Sequence, residues 1–148
     1  MISSIVVGTD GSDTARKAVQ EAADLAKQVG ATMEIVSAYA PVSNQRLREE
    51  ARQAPEDLQW MVTAREDVDA LLKETKELAE GAGVKTVNLH PREGDPADAI
   101  LDVAEEQSAD LIVVGNKGMS GAKRFLLGSV PNKVSHHAPC SVLIVRTT

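Results

Sequence analysis

Aromatic residues are almost absent from this 148-residue chain: Tyr39, Trp60 and Phe125 are the whole set. Proteins that hold nucleic acid combine a basic face with stacking platforms. This chain has few platforms, a formal net charge of −6 and an isoelectric point near 5.1, so nucleic acid is not expected as a partner. Cysteine is nearly absent too. Cys140 alone makes no internal disulfide, which fits a reducing, cytoplasmic setting. It precedes an apolar run with no acid or histidine fixed beside it, so a packed, inert thiol is expected. No apolar run approaches the roughly 20 residues that cross a bilayer. The first residues also lack the basic-then-apolar order of a signal segment, and no membrane partner is expected. Missing as well are a G-x4-G-K-[ST] phosphate loop, a Ser-His-Asp order, paired carboxylates and a metal-ligand cluster. His136 and His137 are neighbours that point to different helix faces, so they make no metal pair.

One further absence is local. No Asp or Glu follows Asp110, whereas Lys117, Lys123, Arg124, Lys133 and Arg146 do. The segment from Leu111 to Thr148 is therefore +5 and the first 110 residues are −11. That segment opens with Leu111-Ile-Val-Val-Gly115, a buried-strand pattern. It continues through Gly118 to Gly128 and Ser129. Glycines let backbone come close to a ligand. Ser129 reads as an N-cap, and a helix start presents free N–H groups and partial positive charge. A phosphate cradle follows from this. From the glycines alone, an ordinary surface loop between a strand and a helix reads equally well.

The rest of the chain alternates. Ile5-Val6-Val7 predicts a strand, stopped by Gly8-Thr9-Asp10-Gly11, with Ser12 capping a helix. That helix places Ala15, Val19, Ala22, Ala26 and Val29 on one face and ends at Gly30. A second strand runs from Thr32 to Tyr39, followed by a polar loop from Pro41 to Pro55 with a short helical piece at Arg46 to Arg52. A long helix keeps Met61, Ala64, Val68, Leu71, Leu72, Thr75, Leu78 and Ala82 on one face and closes at Gly83. Thr86 to His90 predicts a third strand at a sheet edge, with His90 as a loop residue before Pro91. Gly94-Asp95-Pro96 reads as turn, N-cap and first helical position, and Ala97, Ile100, Leu101 and Ala104 form the buried stripe that follows. The fourth strand is Leu111 to Val114, the last helix runs from Ser129 to His137, and Val142 to Val145 is the fifth strand. The expected fold is a single α/β domain over residues 1–148: an open five-stranded parallel sheet, Rossmann-like, with helices on both faces. Ligands in such sheets sit outside the carboxyl ends of the strands, where strand order reverses.

Read as a whole, G-x2-G-x9-G-S after Leu-Ile-Val-Val resembles the nucleotide loop of the universal stress protein family. The opening Ile5-Val-Val-Gly-Thr-Asp-Gly-Ser12 and the closing Ser141-Val-Leu-Ile-Val145 resemble that family's first and last strands. The resemblance covers the whole chain and points to the ATP-binding branch. It implies strand order 3-2-1-4-5, with the reversal between strands 1 and 4. Thr9 and Asp10 would then lie at the end of strand 1, with the Asp10 carboxylate near the ribose hydroxyls. A turn or capping role serves Asp10 as well. Backbone at Ala38 would read the adenine edge. Gly115, Gly118, Gly128 and Ser129 would surround the phosphates, with Asn116, Lys117 and Val130 lining the path. The Gly-Asn-Lys-Gly loop, Gly128-Ser-Val-Pro131 and the terminal Val-Leu-Ile-Val-Arg-Thr-Thr look most like an actinobacterial subgroup associated with cyclic AMP as well as ATP.

The expected function is adenine-nucleotide binding (ATP, or AMP or cyclic AMP) in a regulatory or sensor role. Any Mg²⁺ would accompany ATP. No residue is expected to be catalytic. Two other classes stay open at this point: a weak ATPase or phosphate-transferring enzyme, and an interaction protein with an empty crevice. A homodimer through the C-terminal strand is expected, because an uncharged edge of Val, Leu, Ile and Val needs covering.

Overall fold

A computed structural model describes residues 1–40, 65–116 and 127–147. The expected loop over 41–55, its helical piece, and Met61 and Ala64 of the long helix lie outside these residues. The described chain runs β1 (Ser4–Gly8), α1 (Asp13–Val29), β2 (Thr32–Tyr39), α2 (Arg65–Gly81), β3 (Val87–Glu93), α3 (Pro96–Glu106), β4 (Leu111–Gly115), α4 (Ser129–His137) and β5 (Ser141–Val145). The five strands form one parallel sheet in the order β3-β2-β1-β4-β5. Neighbouring strands are in register at Gly8↔Val36, Val7↔Val113, Ala38↔Arg92 and Gly115↔Val145.

Alternation along the strands builds a core on each face. Ile5, Val7, Met33, Ile35, Leu111 and Val113 point to the side covered by α1 and α2, with Val19, Ala22, Val68 and Leu72. Val6, Val36, Ile112 and Val114 point to the side covered by α3 and α4, with Ile100, Val103 and Val134. Central strands buried on both sides read as continuous apolar runs, and the short β-branched segments show that pattern. Each fully buried branched side chain contributes about 1.5–3 kcal/mol.

Local signals hold at the starts of α1 and α3. Ser12 accepts from the Ala15 amide at 3.2 Å, and Asp95 accepts from the Asp98 amide at 3.0 Å with Pro96 following. Gly30 closes α1 in the left-handed conformation at φ +73°. The stripe on α1 needs correction. Ala18 and Ala23 are buried with Val19, Ala22 and Ala26, whereas Val29 is 42% exposed at the last helical position. Alanine carries little pattern, so the face of an alanine-rich helix is set by what it packs against. On α3, Leu101 is only half-buried and Ala99 and Val103 are buried instead.

The third strand also departs from expectation. It runs from Val87 to Glu93, so His90 is a strand residue and not a loop residue. Proline does not stop this strand for a geometric reason. The Met33 amide donates to the Thr86 carbonyl while Met33 lies opposite Val87, so odd-numbered residues of β2 bond to the residues flanking their partners. Pro91, opposite Ser37, therefore turns its nitrogen away from β2 toward the sheet edge, where no ladder bond is lost. His90 Nε2 lies 2.7 Å from Oε2 of the buried Glu34, and Asn88 Nδ2 donates to Oε1 of Glu34 at 3.1 Å.

Candidate functional site

The end of β1 is fixed from two sides. The Thr9 amide donates to the Val36 carbonyl at 2.9 Å, and Ser37 Oγ donates to the Thr9 carbonyl at 2.7 Å. Gly8 lets α3 pack against the strand end: a Cβ there would stand 2.5 Å from Ile100 Cδ1. The chain then turns. Thr9 Oγ1 accepts from the Gly11 amide at 3.2 Å, and Gly11 sits at φ +83°, a conformation that favours glycine. Asp10 is exposed, and its Oδ1 accepts from the Ser12 amide at 2.9 Å. Its turn role is thus present in the fold, made through one of its two carboxylate oxygens.

Ala38 gains its significance from strand alternation. Val36 turns its carbonyl toward β1, and Tyr39 turns its carbonyl toward β3, where the Gly94 amide donates at 2.9 Å. Ala38 therefore faces the β1 side, as Val36 does. The β1–β2 pairing ends at Gly8↔Val36, so the N–H and C=O of Ala38 face the crevice past the end of β1.

On the other side of the reversal, β4 ends beside the start of α4. The Asn116 amide donates to the Val145 carbonyl at 2.9 Å, and the Gly128 amide donates to the Asn116 carbonyl at 3.0 Å. This brings Gly115 and Asn116 together with Gly128, Ser129 and Val130. Lys117 and Gly118 lie outside the described residues. The N-cap of α4 is Gly128 rather than Ser129, and no side chain caps it. Ser129 is the first helical residue. The Ser129 and Val130 amides have no intrahelical acceptor, Pro131 has no N–H, and the ladder begins with the Asn132 amide on the Gly128 carbonyl at 3.1 Å. The helix start presents two backbone donors and the positive end of its dipole at the sheet reversal.

Of the basic residues after Asp110, Lys133 is paired on α3: its Nζ lies 2.8 Å from Asp98 Oδ1 and 3.2 Å from Asp95 Oδ2, which raises its pKa. Lys123 and Arg124 lie outside the described residues. At Cys140, burial is the main cause that pushes the thiol pKa up, with Asp110 adding to it, in keeping with an inert thiol.

Two partners of the site carried no signal in the sequence. Asn116 Oδ1 accepts from the Thr147 amide at 2.8 Å and from its hydroxyl at 3.0 Å, and Lys17 Nζ donates to the Thr147 carbonyl at 3.1 Å. These bonds join residues far apart in sequence, so no local spacing announces them.

The model of the universal stress protein family matches residues 1–146. The chain belongs to the universal stress protein family. A universal stress protein of Mycobacterium tuberculosis is 44% identical over 146 residues, covering 97% of this chain and 96% of the relative. A universal stress protein crystallised in complex with cAMP is similar at 37% identity and a TM-score of 0.74, over 99% of this chain and 98% of that one. The universal stress protein from Archaeoglobus fulgidus in complex with dAMP matches at 25% identity and a TM-score of 0.68, over 99% and 100% of the two chains. The fold and strand order expected from the resemblance are those observed.

Proposed function

We propose that this protein binds an adenine nucleotide at the sheet reversal and acts as a regulator or sensor, with ATP as the first candidate. The observation that carries this is the joining of the β4 end to the uncapped start of α4, beside the Thr9–Asp10 turn and the crevice-facing backbone of Ala38. In this reading Ser129 and Val130 donate to phosphate oxygens, with Gly115, Asn116, Lys117, Gly118 and Gly128 shaping the cradle. The outer carboxylate oxygen of Asp10 meets the ribose, and Ala38 pairs with the adenine edge. Support also comes from the two relatives held with cAMP and with dAMP. Mg²⁺ would enter with ATP through its phosphates.

The reading is of a binding protein. Among the described residues, Asp10 is the acid that follows the end of β1, and its Oδ1 is engaged in the turn. Cyclic AMP is the second ligand reading. The pairing of Lys133 with Asp95 and Asp98 removes one cation from the phosphate region, and a singly charged cyclic phosphate needs fewer than a triphosphate. We place the protein in the cytoplasm; among the described residues no helix is long and apolar enough to cross a membrane.

A homodimer through β5 belongs to the same proposal. β5 is an edge strand, with Leu143 and Ile144 40% and 38% exposed. The Val145 carbonyl faces β4, so alternation turns the backbone of Val142 and Ile144 to the outer edge, available to a second copy.

Mass spectrometry of ligand released from purified protein, with calorimetric titration of ATP, AMP and cyclic AMP, tests the nucleotide reading. Adenine nucleotide bound at or below micromolar Kd is the expected result. No binding of any of the three would overturn it.

A further inference from the structure

We propose that Asn116 and Thr147 are positioning residues of this site, with the C-terminal residues holding the two ends of the glycine loop together from outside it. The role rests on the nucleotide reading above. Asn116 bonds in three directions. Its amide reaches the Val145 carbonyl, its carbonyl receives the Gly128 amide, and its Oδ1 receives both the amide and the hydroxyl of Thr147. Thr147 is only 3% exposed, and its amide, hydroxyl and carbonyl are all engaged. Thr147 is thereby tied to the residue that begins the loop.

The consequence runs through Gly128. It caps α4, and its amide depends on where the Asn116 carbonyl points. The donors offered to phosphate, Ser129 and Val130, follow it directly. Lys17 extends the same link to α1, which starts just after the Thr9–Asp10 turn. Thr147 therefore joins both halves of the candidate site without lying in either loop. Its loss would leave the Asn116 side chain without its two donors and let the cradle's ends drift, which costs affinity because a binding site works through pre-placed donors.

The full chain is titrated with ATP and with cyclic AMP in four forms: wild type, Thr147→Val, Thr147→Ser and Asn116→Ala. Thr147→Val deletes the hydroxyl donor, Thr147→Ser keeps it, and Asn116→Ala deletes the acceptor of both bonds. Loss of one or two such bonds corresponds to weakening of roughly three- to tenfold. That loss is expected for Thr147→Val and Asn116→Ala, with Thr147→Ser close to wild type. Hydrogen exchange at the Gly128 amide, read without ligand, should speed up in the same two variants and not in the serine variant. A general loss of stability would instead speed exchange at core amides such as those of Val7 and Ile35 along with Gly128. If Asn116→Ala does not fold, the Val and Ser pair at Thr147 decides. Wild-type affinity and unchanged Gly128 exchange in Thr147→Val overturn the proposal. Wild-type protein that binds neither nucleotide, with Gly128 exchange still altered in the variants, instead overturns the reading of the site and with it the role in binding.

Discussion

Replacing Gly8 by alanine should destabilise the protein through a single identifiable collision. The added Cβ would stand 2.5 Å from Ile100 Cδ1 and 3.0 Å from Ile100 Cγ1, with the Val36 carbonyl oxygen at 3.9 Å. Ile100 is only 4% exposed and belongs to the α3 and α4 core with Val36, Val103 and Ile112, so its side chain cannot simply swing into solvent. Overpacking of this kind costs about 1–3 kcal/mol. For a domain of this size that is a fall in Tm of roughly 2–4 °C per kcal/mol. The partner is testable by shortening it. Ile100→Val alone should cost about 0.5–1.5 kcal/mol as a small cavity. In that background Gly8→Ala should cost clearly less, because Cδ1 is gone and only the 3.0 Å contact remains to be relieved. Urea unfolding of the four proteins gives the coupling, provided the slope with denaturant is unchanged. Since Gly8 leads directly into Thr9 and Asp10, nucleotide affinity should fall in parallel. A cost for Gly8→Ala that is equal in both backgrounds, or within about 0.5 kcal/mol of zero, refutes the contact.

Other outcomes follow from the same geometry. Asp95→Ala removes the cap of α3 and one partner of Lys133, and chemical denaturation should show a loss of about 1 kcal/mol. The Arg92 guanidinium, bonded to Glu106 at 2.9 and 2.6 Å, holds that carboxyl below its ordinary pKa. A depressed carboxylate pKa gives stability that is present above the unfolded pKa and lost as pH falls through the folded one. Carboxyl NMR titration should therefore place Glu106 below the ordinary glutamate value and return it toward that value in Arg92→Gln. Gly118→Val should abolish or sharply weaken ATP binding by calorimetry; retained affinity moves the cradle elsewhere. Phosphate release from ATP should be negligible, and multiple turnovers per second abolished by Asp10→Ala would make the protein an enzyme. Light scattering should give a dimer near twice 15.7 kDa, disrupted by Ile144→Pro, whose missing N–H faces the outer edge; a monomer mass for wild type sinks the β5 interface.

By itself the sequence determined the elements and their order. Short runs such as Ile5-Val6-Val7 and Leu111-Ile-Val-Val114 are strands because β-branched residues with no polar break suit a position buried on both faces. Ser12, Gly30, Asp95 and Pro96 marked helix ends because caps act within a few residues of one another, where spacing is visible. Tertiary structure decided what depends on alternation and on distant partners. Pro91 could continue β3 only because its nitrogen faces the sheet edge, and the backbone of Ala38 faces the crevice only because β1 stops short of it. Glu34 sits in an apolar strand because Asn88 and His90 of the next strand bond to it. Lys133 counts toward the +5 of the last segment, and only the packing of α4 beside α3 pairs it with Asp95 and Asp98. Asn116 and Thr147, 31 residues apart, meet only when β4 and β5 lie side by side. Periodicity records how each segment meets the core, and it carries no information about which segment a polar side chain will meet across the sheet.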